Sequence, residues 1–120
     1  MERYSEVQKK RLISSEKNKL AKIFVNLSKD DKKLSDGLIS QAAFLKVSID
    51  DLQNDINYYG YSVASPQGVK KRPEADLHIA MCKNYQAVIK QLAEILGKKV
   101  KEIKNNTEIE FEDFINDTGQ

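Results

Sequence analysis

Two long runs of apolar residues at helical spacing, parted by a short stretch that resists helix, constrain this chain more than any other feature. In the first run Leu38, Ala42, Leu45, Ile49, Leu52, Ile56 and Tyr59 recur at alternating intervals of four and three. In the second, Leu77, Met81, Tyr85, Val88, Leu92 and Ile95 do nearly the same. Each set falls on one helical face that needs a partner. Between them, Ser65-Pro66-Gln67-Gly68 carries proline at the second turn position and glycine at the fourth, which suits a reversal. β-prone pieces flank it, Tyr61-Ser62-Val63-Ala64 and Val69-Lys70-Lys71. A flap that small is marginal alone and must lean on helices. The expected fold is all-α: a long antiparallel helical hairpin braced by an N-terminal helix, with a small β-hairpin flap between the second and third helices.

Local signals set the boundaries. A helical domain is expected over residues 1–97, with its first helix at about 5–27, second at 29–58, flap at 61–72 and third at 73–96. Leu12, Leu20, Ile23, Phe24 and Leu27 stripe the first helix, with a weak point at Ser14-Ser15. Ser28 caps the second, and Asp30 and Asp31 favour its positive end. Gly37 inside that helix costs about 1 kcal/mol relative to alanine, which a long stripe outweighs. Gly60 stops it. Pro73 suits the first turn of the third helix, and Gly97 suits its end. Residues 98–120 read as a basic linker followed by an acidic tail.

No run of 18 apolar residues occurs, so a membrane span is not expected. The first residues lack the apolar core of a secretory signal, and Cys82 is the sole cysteine, so a cytoplasmic setting is expected. Net charge is only +2, but it is unevenly spread. Residues 1–104 hold all 20 basic residues against 13 acidic ones, or +7, while 105–120 hold five acidic residues and no basic one. The body can attract a polyanion that the tail repels.

Candidate chemistry is sparse. His78 and Cys82, four apart, share a helical face but lack a third group for a metal or a nucleophile–base pair. Asp51 and Asp55, also four apart, are expected on the solvent side of the second helix, where they could hold a hard cation. A two-metal nuclease needs more carboxylates converging on a pocket. No Gly-rich run ends in Lys-Ser or Lys-Thr, so nucleotide hydrolysis is not expected, nor is any cofactor or metal. Nucleic-acid contact fits better. Lys9, Lys10 and Arg11 on the first helix and Lys70, Lys71 and Arg72 beside the turn are candidate phosphate contacts, which bind DNA with little sequence preference. In the tail, Phe111, Phe114 and Ile115 stand among acids as candidate docking residues for a partner.

The order of these motifs resembles the phage terminase small subunit group common in siphophages. Leu27-Ser28-Lys29-Asp30-Asp31 is similar to that group's leucine-threonine-x-x-aspartate start of a long helix. Tyr58-Tyr59-Gly60, the flap with Gly68, Arg72-Pro73-Glu74-Ala75 and Leu92-Ala93-Glu94-Ile95-Leu96-Gly97 follow in the same order. About 70 of the 120 residues are spanned. Arg72 stands where the group has histidine, and Lys98-Lys99-Val100 where it often has leucine-threonine-proline. The resemblance implies a non-catalytic homo-oligomer, in some cases a ring, acting in host-cell cytoplasm. It would bind double-stranded viral DNA at the packaging start site and recruit or regulate a large ATPase and nuclease subunit. Phe111, Phe114 and Ile115 would then dock that large subunit. Two other readings stay open: a helical adaptor that assembles without nucleic acid, and a small metal-dependent nuclease.

Overall fold

A computed structural model describes residues 3–25 and 27–117, with side chains through residue 98. The elements run α1 (Glu6–Ile23), α2 (Lys29–Tyr59), β1 (Ser62–Ser65), β2 (Gly68–Lys71) and α3 (Pro73–Asp117). The all-α hairpin with a brace and a β flap is the observed architecture. Ion pairs fix the directions: Lys98 meets Asp31 and Arg72 meets Asp55, so α2 and α3 are antiparallel. Arg3 and Lys9 meet Asp51, so α1 is antiparallel to α2 as well.

α2 is buried on two faces, which makes it the central helix. Leu38, Ala42 and Leu45 lie on the face toward α3, where Val88 and Leu92 close the core. A second line repeats at every fourth residue: Ser35, Ile39, Ala43, Val47, Asp51 and Asp55, all buried. Such a line winds obliquely around the helix and forms the ridge on which a neighbour packs. α1 covers it. Phe24 and Leu20 join the core at one end, while Arg3, Tyr4 and Lys9 hold the other. Burying a side chain the size of Leu92 or Leu52 contributes about 2 kcal/mol.

Three boundaries differ from expectation, each for a local reason. α1 ends at Ile23 rather than near residue 27, because Phe24 leaves the helix (φ −104°, ψ 44°) and turns into the core. It runs unbroken through Ser14-Ser15, started by a capping box in which the Gln8 N–H donates to Ser5 Oγ and the Ser5 N–H to Gln8 Oε1. α3 does not stop at Gly97 but continues to Asp117. Leu96, Val100 and Ile103 carry the four–three spacing past the glycine, so a cost near 1 kcal/mol does not end the helix.

The flap pairs Ser62 with Lys71, Val63 with Lys70, Ala64 with Val69 and Ser65 with Gly68 in antiparallel register. Gly60 (φ 94°) and Gly68 (φ 118°) take backbone angles that L side chains rarely adopt, and they bound the flap's entry and its turn. The Ser65 hydroxyl donates to the Gly68 carbonyl across that turn. Almost the whole flap surface faces solvent.

Candidate nucleic-acid interface and the carboxylate pair behind it

Two of the six cations singled out in the sequence, Lys9 and Arg72, meet a pair of buried aspartates on α2. Asp51 has 0% of its surface exposed. Its carboxylate accepts from Arg3 Nε at 2.6 Å and from the Tyr4 backbone N–H at 2.6 Å, and Lys9 Nζ lies 3.3 Å away. One turn on, Asp55 accepts from Arg72 Nη2 at 2.8 Å, with Arg3 Nη1 at 4.0 Å. Arg3 therefore spans both carboxylates, joining the start of α1 to the base of the flap. Burial pushes the Asp51 carboxyl up, but the Tyr4 N–H, Arg3 and Lys9 outweigh it and hold it below the usual carboxylate range.

The expectation that Asp51 and Asp55 decorate the solvent side is overturned. Both continue the every-fourth line of Ile39, Ala43 and Val47, so the fold turns them inward. Buried carboxylates demand partners, and basic residues before and after α2 in the chain supply them. Arg3, absent from the candidate cations, reaches both carboxylates. The sequence alone carries no signal for it, because the pairing depends on which face of α2 packs inward.

Arg72 is the most constrained of the six. Its backbone N–H donates to the Tyr61 carbonyl at 3.0 Å, and its carbonyl accepts from the Ala75 N–H at 3.0 Å. Its Nη1 donates to the Gly60 carbonyl at 2.6 Å, Nη2 meets Asp55, and Glu74 lies 3.6 Å away. The guanidinium stands 5.4 Å from the Tyr59 ring centroid. With its side chain only 15% exposed, Arg72 clamps the flap to α2 and α3. Lys9 is likewise engaged, by Asp51. Lys10, Arg11 and Lys70 face solvent and form no ion pair among the described residues. Lys71, also exposed, pairs with Asp76 at 2.9 Å and lies over the Tyr61 ring. Its hydrogen bond to Asp76, then the aspartate's charge, raises its pKa.

The elements that carry these cations are tied to two neighbouring carboxylates, α1 through Lys9 to Asp51 and the flap through Arg72 to Asp55. Lys10 and Arg11 follow Lys9 on α1, and Lys70 and Lys71 precede Arg72 on β2. His78 and Cys82 approach to 3.9 Å between Nδ1 and Sγ, and among the described residues no group of three or more metal-binding side chains forms. Phe111, Phe114 and Ile115 fall on the last turns of α3, and their side chains lie outside the described residues. Among the described residues no helix is long and apolar enough to cross a membrane. The chain matches no family model, no curated protein and no solved structure.

Proposed function

We propose that this chain is a non-catalytic, DNA-binding small subunit of a viral packaging terminase, working as a homo-oligomer that recruits or regulates a large ATPase and nuclease subunit. The observation that carries the proposal is that Lys10, Arg11 and Lys70 face solvent with no ion pair among the described residues, on α1 and the flap, which Lys9 and Arg72 tie to Asp51 and Asp55. Cations that are free to meet phosphates release counterions from DNA and give salt-sensitive affinity. The order of helix start, flap, Arg72-Pro73 and Leu96-Gly97 supplies the family reading. Within it, Lys9 and Arg72 hold the contact elements in place more than they meet phosphates themselves. Phe111, Phe114 and Ile115 remain the proposed docking residues for the large subunit.

A metal-dependent nuclease would need Asp51 and Asp55 open to a cation, and Arg3, Lys9 and Arg72 already occupy both. The test is titration of the assembled protein with labelled duplex DNA in about 50 mM salt, with a parallel incubation in magnesium or manganese. Binding without cleavage is expected. Absence of binding at low salt, or cleavage lost in Asp51→Ala, would overturn the proposal.

A further inference from the structure

The flap stands clear of the helices on both of its faces. Its register puts Val63 and Lys70 on one face and Ala64 and Val69 on the other, and all four are exposed. Val69 is 82% exposed, more than any other large apolar side chain among the described residues, and Val63 is 52% exposed. From Asn57 to Pro73 the sequence holds no acidic residue, while Lys70, Lys71 and Arg72 are basic. Arg72 fixes the root of the ribbon: its N–H donates to the Tyr61 carbonyl, and its guanidinium reaches the Gly60 carbonyl and Asp55. At the tip, Pro66-Gln67 is the two-residue loop between the paired Ser65 and Gly68. The Ser65 hydroxyl is engaged within that turn. The Gln67 side chain faces solvent and forms no hydrogen bond among the described residues.

We infer, resting on the DNA binding proposed above, that the flap enters the major groove of duplex DNA, where Gln67 and Val69 read base edges and Lys70 meets a phosphate. Shape favours this groove. At about 12 Å wide it admits a two-stranded ribbon, and the minor groove at about 6 Å does not. Strands of four residues extend about 13 Å, enough to reach a groove floor about 8.5 Å deep. Charge favours it too, because an acid-free ribbon with lysines suits a site walled by phosphates. Lysines and a proline on so short a ribbon discourage the addition of a protein strand instead. The chemistry near the tip matches A·T pairs. The Gln67 amide can accept from adenine N6–H and donate to N7, and the Val69 methyls can cover the thymine methyl. Lys70, on the opposite face from Val69, positions the ribbon on the duplex without reading sequence.

Three duplexes of equal length test it against the full-length protein in about 50 mM salt. One is a mixed A·T sequence, one is the same sequence with uracil for thymine, and one is a G·C sequence. The uracil duplex lacks only the thymine methyl, which stands in the major groove. Wild type should bind the A·T duplex at least about five-fold more tightly than the G·C duplex. It should bind the uracil duplex about three- to four-fold more weakly than the A·T duplex, the effect of one methyl no longer covered. Gln67→Ala should lose most of the first preference and Val69→Ala the second, whereas Lys70→Ala should weaken all three duplexes alike. A wild type that binds no duplex would overturn this inference together with the proposed DNA binding, and leave the flap to a protein partner. A wild type that binds all three duplexes alike, or the uracil duplex as tightly as the A·T one, would overturn the groove contact alone. So would Gln67→Ala and Val69→Ala proteins that keep both preferences. The uracil comparison needs only wild type, so it decides even where a variant's flap fails to form.

Discussion

At the residue scale, the fold of this chain turns on carboxylates that a hydropathy reading assigns to water. Asp51 and Asp55 sit on the ridge formed by Ile39, Ala43 and Val47, and three cations converge on them from both sides of α2 in sequence. Removing one partner of such a group leaves the others unpaired, which costs more than the pair itself contributes. Asp51→Asn should therefore destabilise the protein by about 1–3 kcal/mol at neutral pH in urea unfolding, the lower end reflecting the exposure of Arg3. The pH dependence has a definite sign. Asp51 has its carboxyl lowered in the folded state, so its contribution is complete above the unfolded value of about 3.9 and is lost as pH falls through the lowered folded value. Acid should narrow the gap between wild type and Asp51→Asn. A gap independent of pH would show that the charge is not what matters there.

At the element scale, periodicity makes most of the fold legible and punctuation misleads in places. The four–three stripes locate α2 and the first half of α3, Ser28 and Pro73 locate their starts, and Pro66 with Gly68 locates the flap. Ser28 Oγ does accept from the Asp31 N–H, at 3.2 Å. Two further signals stand in the sequence and outrank the apparent breaks: the Ser5–Gln8 capping box and the stripe that runs past Gly97. A helix stop is a local preference of about 1 kcal/mol, which a continuing stripe overrides. The buried ionic end of α1 is illegible for another reason. Pairing across nearly fifty residues depends on which helix face packs inward, and Arg3 alone carries no sign of it. The glycines test this distinction. Gly97 lies inside α3 with open space where a Cβ would stand, so Gly97→Ala should stabilise by about 1 kcal/mol. Gly60 has φ +94° at the end of α2, so Gly60→Ala should destabilise by about 1 kcal/mol or more. Thermal melts of the two variants should shift in opposite directions, and shifts of the same sign would contradict the assignment of α3 through Gly97.

At the scale of the whole molecule, the parts divide by role along the hairpin. One end carries the flap and the start of α1, both tied to α2 by Asp51 and Asp55. Beyond the hairpin, α3 runs on through the acidic residues to Asp117. The cations are visible in the sequence, but their rank is not, since rank depends on which are already paired. That ranking is the most direct point of test. Binding constants for duplex DNA should be measured across a series of salt concentrations for wild type and for the Lys10→Ala, Arg11→Ala, Lys70→Ala triple variant. If these three meet phosphates, the slope of log K against log salt becomes shallower by about 2.7, near 0.9 for each phosphate no longer neutralised. An unchanged slope and affinity in the triple variant would contradict the account.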